Sequence, residues 1–215
     1  PFPMIAGKHK GAGMLLYPAQ VAEVLAPIAE YPEIQFSLKM RLGWENASEC
    51  MVLVELLNAI RLSRIALHAR TGKQQYKGHP DLEAFQGFYE LCQHPLYYNG
   101  GIESLSDIRQ ILIRFPLLKG VFIGRGLLSS PLLAKEFKGN ETFLPEQRMS
   151  IYFAFHEELF SAYSQVLQGE TQLLVKMKTL WEYFLPETDR KLLKRIKKST
   201  RLQQYTESVK AIFTS

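Results

Sequence analysis

The stretch GVFIGRGLLSSP, residues 120–131, joins two signals that together indicate the fold. Its apolar run at 121–123 predicts a buried strand, and the spacing from 127 to 137 predicts a helix. Gly124-Arg125-Gly126 stands between them. A strand that ends in glycines where a helix begins is typical of parallel α/β proteins, in which such junctions bind phosphate groups.

Strand and helix signals alternate through the first 139 residues. Strands are predicted at 34–40, 64–69, 96–98 and 120–123, and helices at 18–31, 47–62, 81–92 and 104–114. Repeated units of this kind predict a parallel sheet with crossover helices, the α/β class. From about residue 146 the apolar residues keep helical spacing without a strand signal, so two domains are predicted, at 1–139 and 140–215.

The composition is that of a globular protein. The chain has 215 residues, 47% of them hydrophobic, and no apolar run approaches the length of a membrane span. Cys50 and Cys92 both fall in predicted helices, which favours buried free thiols and a reducing compartment, the cytoplasm. The formal net charge of +5 is a weak indication of a polyanionic partner.

Cationic side chains follow the first two predicted strands. Because residues i and i+2 of a strand point the same way, Lys39 and Arg41 are predicted to share a face, as are His68 and Arg70. At the carboxyl ends of parallel strands they would form a site for an anionic or electron-rich ligand. The alternative is that these cations lie on a solvated rim.

Glycines follow the last two predicted strands, as Asn99-Gly100-Gly101 and Gly124-Arg125-Gly126. Consecutive parallel strand ends are neighbours in space, glycines allow close backbone approach, and Arg125 can add a charged hydrogen bond. We predict a phosphate-binding site there. Two ordinary glycine turns are the alternative.

Five stretches of the chain form a characteristic set: HKGAGMLL (9–16), KMRLG (39–43), HARTGKQQYKG (68–78), YNGGI (98–102) and IGRGLLSSPLL (123–133). Together they resemble the tRNA-dihydrouridine synthase family of flavoenzymes. One departure is NGG, where the family more often has NGD. The resemblance implies the C-terminal half of a TIM (β/α)8 barrel, followed by an all-α helical domain that binds tRNA.

The same resemblance implies a flavin mononucleotide (FMN) site, with NADPH as the reductant and uridine in tRNA as the substrate that becomes 5,6-dihydrouridine. Lys39 would reach the flavin ring and His68 would lie along the flavin, while Arg41 and Arg70 would face the target uridine. No metal site is expected. The phosphate end of FMN would be held by Asn99, Gly100, Gly101, Gly124 and Arg125.

The family barrel has eight strands, and the resemblance aligns this chain with the last four. Pro1 aligns with the proline of the family's Asn-x-Gly-Cys-Pro motif, so the acid cysteine would fall just before Pro1. We therefore expect a truncated, catalytically incomplete chain that self-associates or pairs with an N-terminal half-barrel. Two other hypotheses fit the sequence: a non-catalytic remnant that binds RNA or a partner chain, and another phosphate-binding barrel enzyme acting on small molecules.

The C-terminal region carries a basic run around the apolar residues Leu192, Leu193 and Ile196. A solvated helix face is the plain interpretation, but beside a suspected tRNA-binding module the run is predicted to contact phosphates. The predicted contacts are Lys194, Arg195, Lys197 and Lys198. Tyr76 and Lys77 are weaker candidates for RNA contact, and His156 is predicted to be a core histidine.

Overall fold

The computed structural model describes residues 7–214. Pro1, which the sequence analysis aligns with the cysteine–proline motif, lies outside them. The described residues form two compact units, one made of 7–102 and 106–124 and the other of 103–105 and 125–214. Residues 125–139 group with the second unit rather than the first. The domain boundary proposed at 139–140 stays a prediction.

The first unit contains a four-stranded parallel sheet with strand order β1-β2-β3-β4. The predicted parallel α/β arrangement is confirmed, while the assignment to half of a barrel stays a prediction. β2 is buried along nearly its whole length, as expected of a central strand. The strands are β1 Ser37–Gly43, β2 Arg64–Thr71, β3 Leu96–Asn99 and β4 Gly120–Phe122.

Helices of the first unit are shorter than the sequence predicts. The helix predicted at 18–31 becomes 3-10 after Leu25, close to Pro27, which has no N–H to donate. The helix predicted at 47–62 is divided at Leu53. The α-helices are α1 Pro18–Leu25, α2 Glu49–Val52, α3 Val54–Asn58, α4 Leu82–Leu91 and α5 Leu105–Arg114, and 3-10 helices span Gly11–Leu16 and Ala26–Glu30.

An aromatic cluster fills the core between the sheet and the helices. The Phe85 ring lies edge-on to Tyr98 of β3, with centroids 4.9 Å apart, and to Phe115 at 5.0 Å. All three side chains are essentially inaccessible to solvent.

Asp81 caps the start of α4. Its carboxylate accepts a hydrogen bond from the Ala84 N–H at 2.9 Å.

The described residues of the second unit form helices and the loops between them, without a strand. Its core contains Met177, Trp181, Phe184, Ile196 and Tyr205, which are all at most 2% exposed. No helix in residues 7–214 combines the length and the apolarity needed to cross a membrane. The helices are α6 Arg125–Ser129, α7 Leu133–Gly139, α8 Pro145–Val166, α9 Gly169–Leu180, α10 Arg190–Lys198 and α11 Leu202–Phe213.

His156 is a satisfied core histidine, as predicted. Its Nε2 lies 2.6 Å from the Tyr205 hydroxyl and its Nδ1 lies 3.0 Å from a Glu157 carboxylate oxygen. Trp181 Nε1 donates to the same hydroxyl at 2.9 Å. A carboxylate can only accept, so Nδ1 carries the proton, and in the neutral ring Nε2 accepts from Tyr205. Burial lowers the pKa of His156, which favours this neutral form.

Candidate functional site

Polar side chains form a row across the carboxyl edge of the sheet. In the register of the strands, Arg41 pairs with His68, His68 with Asn99, and Asn99 with Phe122. Paired residues of a parallel sheet project from the same face, so one face carries all four side chains at this edge. The sequence analysis placed three of the four at the site, and the structure brings them into one row.

Asn99 links the ends of the last two strands. Its Nδ2 donates to the Phe122 carbonyl at 2.8 Å. Gly100 follows with φ +138° and Gly101 with φ +60°, a backbone region that favours glycine. A Cβ at Gly101 would also lie 2.9 Å from Pro80 Cγ. The turn itself therefore requires both glycines, as the interpretation of an ordinary glycine turn predicts for this pair.

Gly124 differs from those two glycines. Its φ lies outside the left-handed region, and a Cβ built on it would meet no described atom within 4 Å. Neither backbone conformation nor packing within the described residues accounts for glycine here. A free approach to the backbone is what a phosphate-binding glycine provides.

Arg125 follows Gly124 directly and begins α6. The helix predicted at 127–137 is divided into α6 and α7, which flank Pro131, a residue without an N–H to donate. Because α6 has only five residues, its helix dipole is weak. The open backbone at Gly124 thus supports a phosphate site better than the helix dipole does.

Lys39 lies two residues before Arg41 on the same face, as predicted from strand alternation. Partial burial lowers the pKa of the Lys39 ammonium, and the nearby Arg41 charge lowers it further. Burial also lowers the pKa of Arg41, and Arg70 contributes in the same direction. Three cationic side chains are therefore concentrated at this end of the sheet.

Arg41 and Arg70 hold the β2–α4 loop, residues 72–80. Arg41 Nη1 donates to the carbonyls of Thr71, at 2.6 Å, and Gln75, at 3.1 Å. Arg70 is only 4% exposed, and its Nη1 donates to the Lys77 carbonyl at 2.8 Å. A shift of register follows the Arg41–His68 pair, so the shared face predicted for His68 and Arg70 stays a prediction. Their proposed contacts with the uridine stay predictions.

Two further glycines in the recognised stretches allow close approach between protein segments. A Cβ at Gly43 would lie 1.9 Å from the Asn46 carbonyl oxygen, and one at Gly72 would lie 2.0 Å from Trp44 Cε3. Gly72 N–H also donates to the Gly43 carbonyl at 2.8 Å. These glycines allow the ends of β1 and β2 to lie close together.

The sequence analysis missed Glu49. Its carboxylate accepts hydrogen bonds from three successive backbone N–H groups, those of Trp44 at 2.6 Å, Glu45 at 3.0 Å and Asn46 at 2.7 Å. This fixes the turn that follows β1. The signal available was a Glu three residues after Asn46, the spacing of a capping box.

Both cysteines lie at helices, as predicted. Cys50 in α2 is fully buried, and its thiol donates to the Ala47 carbonyl at 3.2 Å. Burial raises the pKa of Cys50 to about 12 and also raises the pKa of Cys92, so neither thiol is activated. Cys92 caps the end of α4.

The basic run forms α10, an amphipathic helix capped at its start by Asp189. Ile196 is buried in the core of the second unit, while the six cationic side chains of the helix are exposed. None of the six forms a salt bridge with a residue in the described part of the chain. They are Arg190, Lys191, Lys194, Arg195, Lys197 and Lys198.

A groove lies beside α10. Its lining includes Lys191, Lys194, Arg195 and Lys198 of that helix, and residues of α11 such as Gln204. The sequence analysis predicted RNA contacts for Lys194, Arg195 and Lys198 of this lining but did not foresee the groove. A basic groove of this kind suits a phosphate backbone.

A family model described as "Dihydrouridine synthase (Dus)" matches residues 1–214. The chain belongs to the dihydrouridine synthase family. The resemblance drawn from the five stretches is thereby confirmed.

The names of similar curated proteins agree with this family assignment. A "Probable tRNA-dihydrouridine synthase" of Aquifex aeolicus is 34% identical over 61% of this chain and 42% of its own length. One of Rhizobium leguminosarum bv. phaseoli is 30% identical, covering 61% and 41%. "tRNA-dihydrouridine synthase B" of Vibrio vulnificus is 25% identical, covering 65% and 44%. The chain thus spans less than half the length of these dihydrouridine synthases.

Proposed function

We propose that this chain provides FMN- and tRNA-binding parts of a tRNA-dihydrouridine synthase, which reduces uridine in tRNA to 5,6-dihydrouridine. Membership of the dihydrouridine synthase family and the names of its relatives support the reaction. NADPH is the proposed reductant.

One observation carries the FMN assignment. The row of Arg41, His68 and Asn99 lies at the carboxyl edge of a parallel sheet, where such folds bind their ligands. At the end of the last strand, Gly124 leaves its backbone open. A dianionic phosphate fits such a position, since backbone N–H groups and a neighbouring arginine, Arg125, satisfy its oxygens.

The remaining residues take their roles from this placement. Lys39 supplies positive charge near the ring end of the flavin, His68 lies along it, and Asn99, Gly100 and Gly101 hold its phosphate end. Arg41 and Arg70 provide positive charge towards the uridine while holding the β2–α4 loop. When bound, FMN supplies the hydride that reduces the uracil ring.

For RNA, we propose that α10 contacts the phosphate backbone through Lys194, Arg195, Lys197 and Lys198. These exposed cations follow one short helix and border the groove beside α11. Contacts of this kind position the RNA without reading its sequence.

A substitution at Gly124 tests the FMN proposal. We expect Gly124→Val to lower FMN affinity at least tenfold, because its side chain would occupy the space that the phosphate needs, while the fold is retained. Quenching of flavin fluorescence on titration of the purified chain measures the affinity. Circular dichroism checks the fold.

Gly87→Ala is the control, since its Cβ would meet only Met51 at an ordinary 3.8 Å. Equal FMN affinity of Gly124→Val and the unaltered chain would overturn the phosphate assignment. A chain that binds tRNA but shows no saturable FMN binding would instead support the second candidate, a non-catalytic RNA-binding protein. The exposed cations of α10 are the observation that favours that candidate.

A further inference from the structure

Glu207 is the only acid among the described residues that line the groove beside α10. Four cations of α10 form one wall of this groove, and residues of α11 form the other. Residues 190–210 contain eight Lys or Arg and no other Asp or Glu. A surface that only attracts phosphates would exclude a carboxylate, because like charges repel at short range. The exposed Glu207 side chain therefore calls for a role of its own.

Glu207 shares one face of α11 with two other groove residues. Gln204, Glu207 and Ser208 follow the i, i+3, i+4 spacing that places side chains together on a helix. Tyr205 and Val209 of the same helix are buried in the core of the second unit. This packing fixes the rotation of α11 and keeps Glu207 at the groove.

Hydrogen bonds hold both walls of the groove in place. At the end of α10, Lys178 Nζ donates to the Ser199 carbonyl at 2.6 Å, and Ser199 Oγ donates to the Ile196 carbonyl at 2.6 Å. On α11, Ser208 Oγ donates to the Gln204 carbonyl at 2.7 Å. Walls that are held in this way lose little conformational freedom when a ligand binds.

The Glu207 carboxylate can accept further hydrogen bonds. Gln203 Nε2, one helical turn earlier, donates to Glu207 Oε1 at 3.0 Å. No cation in the described part of the chain forms a salt bridge with this carboxylate. An ionised carboxylate accepts about four hydrogen bonds, so the single bond from Gln203 leaves acceptor capacity facing the groove.

The backbone of RNA provides a donor that suits this acceptor. Phosphate oxygens only accept hydrogen bonds, whereas each ribose carries a 2′-hydroxyl that can donate and that DNA lacks. The groove has a volume of about 500 Å³, within the range of pockets that hold a small ligand. A nucleotide whose phosphate contacts α10 would bring its ribose towards the wall formed by α11.

We propose that Glu207 accepts a hydrogen bond from a ribose 2′-hydroxyl and thereby makes the groove beside α10 selective for RNA over DNA. This inference rests on the proposed phosphate contacts of α10 and adds a specificity-determining residue to them. The cations contribute affinity for either nucleic acid. The carboxylate disfavours a backbone that has no donor to offer it.

Binding of two fluorescently labelled oligonucleotides to the purified chain tests the proposal. One is a short oligouridylate, and the other is its 2′-fluoro analogue, which keeps the phosphates and bases but has no 2′ donor. The unaltered chain should bind the oligouridylate about 3- to 10-fold more tightly, the net effect of one hydrogen bond. Glu207→Met keeps the length of the side chain but not the acceptor, so the two affinities should become equal.

Glu207→Gln separates the hydrogen bond from the charge. It keeps a carbonyl acceptor but loses the repulsion of phosphates, so it should bind both oligonucleotides more tightly and still prefer the oligouridylate. Glu158→Met is the matched control, because Glu158 is exposed in α8 of the same unit and lies outside the groove. It removes the same charge and should leave the preference unchanged. Circular dichroism checks the fold of each variant.

Three results would overturn the role of Glu207. They are equal binding of both oligonucleotides by the unaltered chain, a preference that persists in Glu207→Met, or a loss in that variant that is equal for both oligonucleotides. The last result would indicate a contact with a base instead of the ribose. Failure of the unaltered chain to bind either oligonucleotide would overturn the proposed RNA contacts of α10 as well, so the two failures are distinguishable.

Discussion

Gly72 allows the β2–α4 loop to pack closely against Trp44, because glycine has no side chain in the way. Its position leaves 2.0 Å between an added Cβ and Trp44 Cε3, a distance that real Cβ atoms do not reach. We predict that Gly72→Ala lowers the free energy of unfolding by about 1–3 kcal/mol through overpacking. Urea unfolding followed by circular dichroism measures it.

The same substitution at Gly87 should act in the opposite direction. Gly87 lies in α4, its added Cβ would meet Met51 at 3.8 Å, and alanine is favoured over glycine within a helix by up to about 1 kcal/mol. If Gly72→Ala proved as stable as Gly87→Ala, the close packing of Trp44 on the β2–α4 loop would be contradicted.

His156 links stability of the second unit to pH. Burial lowers its pKa in the folded state, so below about pH 6.5 the unfolded chain binds the proton more readily. Its contribution to stability is therefore complete above that pH and declines as pH falls towards the lowered value.

Nitrogen NMR of the imidazoles measures this directly. We predict that the His156 ring stays neutral, with the proton on Nδ1, to a lower pH in the folded protein than in the unfolded chain. His156→Asn should remove this component of the acid-side loss of stability. A His156 ring that takes up its proton at the same pH in the folded and the unfolded chain would contradict the buried hydrogen bond to Tyr205.

Among the secondary-structure elements, the sequence predicted the later strands well and the first one less well. β2, β3 and β4 begin at the predicted residues 64, 96 and 120. β1 was expected to begin at Ile34 but begins at Ser37, the residue that pairs with Arg64 at the start of β2. Ile34 was included because it is apolar. The start of a strand depends instead on whether the neighbouring strand offers backbone hydrogen-bond partners.

The site residues were also predictable only in part. Arg41, His68 and Asn99 were predictable because parallel strands align their carboxyl ends, and the register places them side by side. The clamp on the β2–α4 loop was not predictable, because it depends on side chains meeting backbone carbonyls up to 34 positions away in sequence. No local pattern encodes such a contact.

Helix α10 permits a prediction about RNA binding. Glutamine at Lys194, Arg195, Lys197 and Lys198 keeps helix propensity but removes four charges, so tRNA binding should weaken. Each lost phosphate contact should reduce the slope of log affinity against log salt concentration by about 0.7–0.9. Fluorescence anisotropy at several salt concentrations measures the slope.

Lys138→Gln and Lys210→Gln are controls, since both lysines are exposed in the second unit but lie outside α10. Their slopes should match that of the unaltered chain. An unchanged slope in the α10 variant would show that its charges form only a solvated face.

For the whole molecule, the open sheet has a direct consequence. Within residues 7–214, β1 pairs only with β2 and β4 pairs only with β3, so both outer strands present unpaired backbone groups. β4 is only half-buried along its length. Unprotected edges of this kind are templates for pairing with another chain.

We predict that the purified polypeptide of residues 1–215 self-associates through these edges at micromolar concentrations. Sedimentation velocity should show a sedimentation coefficient that rises with concentration. Ser37→Lys together with Val121→Lys should shift the chain towards monomer, because charge on an edge strand opposes pairing. Ile113→Lys with Leu117→Lys is the matched control, since these side chains are 79% and 76% exposed but lie outside the strands. If only the control restored monomer, exposed apolar side chains would cause the association, and a concentration-independent monomer would contradict edge pairing altogether.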